Sequence, residues 1–147
     1  MTSDHRIKTI IVTAGMIAEQ GKILVTQRKE VSHQGLLWEF PGGKVKEGEE
    51  PRGALRRELK EELDIEVEVG TIFEAVYHPY PAYPILLLVY QCRIVGGALK
   101  PIDCRDLRWV SPEELKGLTM PPADDPVRKH LSSSEEHFFP AVMATPH

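Results

Sequence analysis

The stretch GGKVKEGEEPRGALRRELKEELDI, residues 42–65, governs how the rest of the chain is read. It opens on a glycine pair and then crowds Glu49, Glu58, Glu61 and Glu62 along what reads as a helix over roughly 51–63. Pro51 suits the first helical turn, where its missing N–H costs nothing. Leu55, Leu59 and Leu63 recur every four residues and form the stripe that a core would bury. Glu58, Glu61 and Glu62 lie about 100° around the helix from that stripe, so the acidic face borders the buried side. Carboxylates three and four residues apart repel and weaken a helix, and something outside it should neutralise them. A solvated face paired with Arg56, Arg57 and Lys60 is the plain alternative. Against it stand the clustering of the acids, the glycine loop just before the helix, and Glu49 at its entrance.

Hard divalent cations take oxygen ligands, and Mg²⁺ commonly uses one or two carboxylates plus substrate phosphates. Acids at i, i+3 and i+4 on one helix face can hold such an ion, which then acts as a Lewis acid facing a phosphate. The Gly42-Gly43 turn lets backbone approach a metal or phosphate closely. Lys44 adds a cation for phosphate charge.

Outward from this stretch, residues 8–18 read as a strand, 19–21 as a turn and 22–28 as a second strand. Residues 29–38 read as a loop, followed by a Pro-Gly-Gly break at 41–43. Beyond the helix, strands are expected at 65–77, 85–95 and 107–110, separated by the proline-rich loop HPYPAYP at 78–84 and a Gly-Gly turn at 96–97. SPEEL (111–115) starts a short helix with Ser111 as cap and Pro112 at its first position, and PPADDPVRKHL (121–131) starts another. This order gives an α+β fold, a mixed β-sheet flanked by helices. No repeat or linker divides the chain. Residues 1–131 read as one domain, and residues 132–147, with serines, two prolines and no period, as a loose tail.

A chain of 147 residues suits one domain with a single core, and 41% apolar and 27% charged residues are ordinary for a globular protein. A net charge of -4 provides no basic field for a nucleic-acid polymer, while a small charged substrate depends on local groups. The N-terminal apolar stretch is broken by Gly15 and Glu19, and ILLLVY (85–90) is too short to span a membrane. A cytoplasmic protein is expected. Cys92 and Cys104 have no metal-ligand spacing and read as reduced structural thiols.

The opening stretch resembles the Nudix box, G-x5-E-x7-R-E-U-x-E-E-x-G-U, where U is a bulky apolar residue. Gly43, Glu49, Arg57, Glu58, Leu59, Glu61, Glu62 and Ile65 match it; the final glycine is replaced by Asp64. That glycine ends the helix in a left-handed turn, which aspartate tolerates, so a small stability cost is expected. The resemblance implies a Nudix-type α/β/α sandwich and hydrolysis of a nucleoside diphosphate linked to some group X. It implies Mg²⁺, or Mn²⁺ in its place, as cofactor. Glu58, Glu61 and Glu62 would be metal-binding acids, with the carbonyl of Gly42 or Gly43 as a further ligand. Glu58 or Glu61 would also activate water. Arg57 would orient a catalytic glutamate through a charge-assisted hydrogen bond, with Glu49 as its partner or an auxiliary acid.

Two further stretches, LWEFPGGKVKEGE (37–49) and LRWVSPEEL with MPPADDPV (107–115 and 120–127), resemble the MutT branch. That branch hydrolyses nucleoside and deoxynucleoside triphosphates to monophosphate and pyrophosphate, by attack at the β-phosphorus, and sanitises the nucleotide pool in support of DNA repair. The resemblance places Phe40 against the base and Asp124 where the branch has a base-reading asparagine. Ionised aspartate only accepts hydrogen bonds, which suits an exocyclic amine; a protonated one, raised by burial or by Asp125, also donates. Cytosine-bearing triphosphates such as CTP and 5-methyl-dCTP therefore compete with 8-oxo-dGTP. Asp124 also reads as a helix N-cap. Tyr83 lies near the place of a MutT arginine. Arg28 is a candidate phosphate contact, and Asp103, six residues before Trp109, a candidate extra ligand or base. His78 reads as structural or substrate-adjacent. Partners are restricted to the small-molecule substrate, with a monomer or homodimer equally open. A nucleotide sugar or dinucleotide as substrate, or a non-catalytic nucleotide sensor, are the alternatives.

Overall fold

The computed structural model describes residues 7–31 and 35–132. β1 (Ile10–Glu19) is the hub of its mixed sheet. Along most of its length β1 runs parallel to β6 (Pro84–Gly97). Its other edge pairs antiparallel with β4 (Gly42–Lys44), and its end pairs antiparallel with β2 (Lys22–Gln27). β2 in turn carries β3 (Trp38–Glu39) and β7 (Asp106–Val110). β5 (Ile65–Pro79) pairs antiparallel with β6 from Ile65↔Gly97 to Pro79↔Pro84.

Successive strand residues face opposite sides of a sheet, and the two sides build two cores. Ala14, Met16, Ile23, Val25, Leu87 and Val89 face one side, where they meet Leu115, Val127 and Leu131. Ile17, Leu24, Tyr90 and Cys92 face the other, against Leu55, Leu59 and Leu63 of helix α1 (Pro51–Leu63). The first side is covered by the short α2 (Pro112–Leu115) and by a third helix, α3 (residues 125–132). The result is helix, sheet, helix, as the sequence implied. Leu55, Leu59 and Leu63 are completely buried, and truncating one of them to alanine costs roughly 2–5 kcal/mol.

The ends of α1 follow from local chemistry. The Glu50 carboxylate caps its start, accepting from the N–H groups of Arg52 (3.1 Å) and Gly53 (3.0 Å). Asp64 ends it in the left-handed region, φ 58° and ψ 38°. The Asp64 carboxylate meets Lys60 at 3.2 Å and Lys100 at 3.6 Å. This aspartate thus fills the glycine position and binds the last turn of the helix electrostatically. Ser111 and Glu114 form a reciprocal capping box on α2.

Three expectations need correction. The loop expected at 78–84 shrinks to residues 80–83, because Pro79 and Pro84 pair at the ends of β5 and β6; proline is tolerated at strand ends. The Gly-Gly turn expected at 96–97 belongs to the end of β6, where Gly96 lies opposite Glu66. The region read as loop and break between β2 and α1 contains β3 and β4, strands too short to show a period. The proposed tail beyond Ser132 lies outside the described residues. Among the described residues, no helix is long and apolar enough to cross a membrane. Cys92 is buried and Cys104 half-buried, both unbridged. Burial pushes their thiols up to about 12 and about 11.

Candidate active site

α1 lies across β4, and this contact brings the glutamates to the glycine pair. A Cβ added to Gly43 would sit 2.3 Å from the Glu58 carboxyl carbon, so only glycine lets the strand and the acid share this space. The bonds Gly15 N–H to Pro41 O and Val45 N–H to Ile11 O fix which pairs of the β1–β4 ladder are hydrogen-bonded. By that alternation the peptide N–H and C=O of Gly43 point to β1, and those of Gly42 point away from it. The Gly42 N–H donates to the Glu62 carboxylate, and the Gly42 carbonyl is directed away from the ladder.

Arg57 organises the other acids. Its Nε and Nη2 donate to both oxygens of Glu49, at 2.7 and 2.9 Å. Nη1 donates to Glu58 (3.1 Å) and Glu61 (3.2 Å), and Nη2 also reaches the Lys44 carbonyl (3.2 Å). One guanidinium therefore holds three carboxylates, and such charge-assisted forked contacts are the strong ones. The Arg57 hydrogen bonds hold the Glu49 carboxyl down at about 2. Glu58 behaves oppositely: burial pushes its carboxyl up despite Arg57.

Glu62 is not among the acids that Arg57 holds. Burial pushes its carboxyl up to about 8, with the charges of Glu39, Glu58 and Asp103 adding to the effect. Its Oε1 is buried without a hydrogen-bond partner among the described residues. A buried carboxylate oxygen left unsatisfied is costly, and a hard cation satisfies it. The oxygen donor set of Glu58, Glu61, Glu62 and the Gly42 carbonyl fits a divalent metal on these grounds. Among the described residues, no three His, Cys, Asp or Glu side chains surround one metal-sized point; Arg57 draws Glu58 and Glu61 to itself while Glu62 turns to Gly42. Asp103 stands at the margin. Its side chain is 67% exposed and paired with Lys29, and its N–H donates to the Glu62 carbonyl at 3.1 Å.

Beside this acidic end opens a mainly apolar cleft. Val12, Ala14, Phe40, Ile85 and Leu87 line it together with Arg28, Glu39, Lys44, Tyr80, Tyr83 and Asp124. Phe40 belongs to the core as well as the cleft, so its two expected roles coincide. Lys44 places its ammonium 5.6 Å from the Tyr83 ring centre. Arg28 donates to Glu39 at 3.0 Å. Asp124 is 6% exposed, and burial, followed by the charges of Glu39 and Asp125, raises its carboxyl well above the usual range. It occupies the last position of a 3-10 turn, Pro122–Asp124, that runs directly into α3. The N-cap of that turn is Pro121, so the capping role expected for Asp124 does not apply at the turn's start. His78 lies on β5 and packs its ring on Tyr80 at 4.2 Å.

The structure thus brings together Gly42, Gly43, Lys44, Glu49, Arg57, Glu58, Glu61 and Glu62 at one end, and Arg28, Phe40, Tyr83 and Asp124 at the other. Glu39 and Tyr80 escaped the sequence reading. Glu39 alternates with Trp38 and Phe40 in the ordinary apolar-polar pattern of a strand, so nothing in the spacing singled it out.

The chain belongs to the Nudix family: the family model described as NUDIX domain matches residues 12–130. The CTP pyrophosphohydrolase of Escherichia coli (strain K12) is 40% identical over 121 residues, 82% of this chain and 90% of that protein. The 8-oxo-dGTP diphosphatase of Proteus vulgaris is 41% identical over 81 residues, 54% of this chain and 72% of that protein. The solution structure of the E. coli ORF135 protein superposes with a TM-score of 0.77 at 38% identity, covering 88% of this chain and 92% of that one. Nudix hydrolases generally use a divalent metal.

Proposed function

We propose that this chain is a Mg²⁺-dependent nucleoside triphosphate pyrophosphohydrolase of the MutT type, releasing a nucleoside monophosphate and pyrophosphate. The observation that carries this reading is the continuity of the site. Gly42, Gly43 and Lys44, which lie against Glu62, Glu58 and Arg57, also line the apolar cleft that holds a buried Asp124. A triphosphate fits the charged end and a base the apolar end.

Glu58, Glu61, Glu62 and the Gly42 carbonyl hold the metal in this reading. When bound, it neutralises phosphate charge and polarises the phosphorus under attack. Arg57 fixes Glu58 and Glu61, with Glu49 as the anchor that keeps the guanidinium in place. Glu58, held beside Glu61 by Arg57, takes the proton of the attacking water. Water attacks the β-phosphorus, the bridging bond to the α-phosphate breaks, and the electron pair leaves with the monophosphate. Arg28 and Lys44 face the phosphates. Asp103, exposed and paired with Lys29, acts as an auxiliary acid at the rim.

At the cleft end, Phe40 packs on the base and Asp124 reads its edge. Burial raises the Asp124 carboxyl well above the usual range and so favours its protonated form, which offers one donor and one acceptor. Both cytosine-type triphosphates and 8-oxo-dGTP present such edges, and the two relatives bear the names of both activities. With a net charge of -4 the partner is the small nucleotide and not a nucleic-acid polymer. We place the protein in the cytoplasm, as a monomer or homodimer that removes modified nucleotides from the pool.

The test is product analysis with Mg²⁺ on CTP, dCTP, 5-methyl-dCTP, dGTP and 8-oxo-dGTP. Pyrophosphate and monophosphate from one of them is the expected result. No hydrolysis of any triphosphate, with turnover of a nucleotide sugar or dinucleotide, would overturn the reading.

A further inference from the structure

Tyr80 stands in the four-residue connection between β5 and β6, and neither the motif nor the mechanism above uses it. Its hydroxyl accepts a hydrogen bond from the Ala123 N–H at 3.0 Å, across 43 residues of sequence. Ala123 is the central residue of the turn that ends in Asp124. The phenol is gripped elsewhere too. The Tyr80 N–H bonds back to the His78 carbonyl at 3.1 Å, an i to i+2 contact of the γ-turn kind. The His78 ring tilts against the tyrosine ring at 52°. The Tyr80 ring also packs on the core that contains Phe40, and both line the cleft.

We propose that Tyr80 is the positioning residue of the base pocket: its hydroxyl fastens the Pro122–Asp124 turn to the β5–β6 connection and so sets where the Asp124 carboxyl meets the base. The Ala123 N–H occupies an acceptor site of the hydroxyl, so the hydroxyl proton is left to donate. Burial raises the phenol above its ordinary value, so that proton stays in place across the working pH range. Removing the hydroxyl leaves a backbone donor without its partner and lets the turn shift, which costs discrimination and not chemistry. The inference rests on the cleft being a base pocket, as argued above.

The experiment compares wild type with Tyr80→Phe, a change that deletes one oxygen. Steady-state kinetics are measured on the best nucleoside triphosphate of the panel and on ribose 5′-triphosphate, which lacks a base. Binding of the matching nucleoside monophosphate is measured by calorimetry, and thermal melting checks the fold. The expected result is a KM about tenfold higher on the nucleotide, with kcat within about twofold. The loss on the nucleotide should exceed the loss on ribose 5′-triphosphate by about tenfold, and monophosphate affinity should fall in parallel. An equal loss on both triphosphates would make Tyr80 a general structural residue and overturn the proposal. No change on either would overturn it as well. If wild type hydrolyses no triphosphate, the functional reading fails separately. Calorimetry then decides Tyr80: unchanged monophosphate affinity, or no binding to wild type, overturns the proposal, and a tenfold loss supports it.

Discussion

The two ends of the site are built in opposite ways. At the acidic end, charge is crowded within 23 residues of sequence, from Gly43 to Ile65, and Arg57 gathers three carboxylates by itself. At the cleft end, one buried carboxyl, Asp124, shares an apolar cleft with residues drawn from β1, β3, β6 and the β5–β6 connection. At the acidic end Arg57 holds the Glu49 carboxyl down at about 2, while Glu62, pushed up to about 8, calls for a cation to ionise it. The cleft end is dominated by burial, which raises the Asp124 carboxyl well above the usual range without an arginine fork around it among the described residues. In the function proposed above, chemistry belongs to the first and selection to the second, because the first gathers charge for phosphates and the second excludes water around a flat apolar ring.

Breaking the acidic end gives the largest effect. Glu61→Gln, which would remove a metal ligand, should lower turnover about 10³-fold. Because the Glu61 side chain is 59% exposed, the melting temperature should hardly move. Near-normal rates would place the chemistry elsewhere.

The pH response of the metal-free protein sharpens the contrast. The Glu62 carboxyl is raised from 4.5 to about 8 in the folded state. The folded state therefore binds more protons than the unfolded one between those values, and stability should fall as pH rises from 4.5 to 8. The loss is on the order of a few kcal/mol. Melting curves in chelator should show this slope, and Glu62→Gln should flatten it. A slope that survives the substitution would assign it to other groups.

At the cleft end the effect is smaller and of another kind. Asp124→Asn should change the ranking of bases by about tenfold, or ~1.4 kcal/mol, and leave the rate on the best base within a few-fold. An unchanged ranking across the panel would separate Asp124 from base reading. Removing residues 134–147 should do least, leaving kcat/KM within about twofold; an inactive truncation would join that segment to one of the two ends.

The acidic end was legible in the sequence because a helix fixes the relation between residues three and four apart. Glu58, Glu61 and Glu62 could be placed beside the leucine stripe from spacing alone. Asp64 could be read as a helix terminator from its tolerance of the left-handed region, and it adopts φ 58°. The extent of the strands was less legible. Pro79 and Pro84 looked like breakers, yet pair at strand ends. The cleft was least legible: Glu39 and Tyr80 carry no spacing signal toward Asp124, which lies 85 and 44 residues away along the chain.

By itself, then, the sequence determined the helix, its buried stripe, its acidic face and the class of chemistry that face serves. Those features depend on neighbours along the chain, whose geometry the backbone fixes locally. Tertiary structure alone decided that Glu62 Oε1 would be buried without a partner among the described residues, that the peptide groups of Gly42 and not those of Gly43 would turn away from β1, and that Tyr80 would grip the turn before α3. Each depends on strand pairing and burial across the sheet, and a carboxyl's charge state follows from the groups that surround it in space.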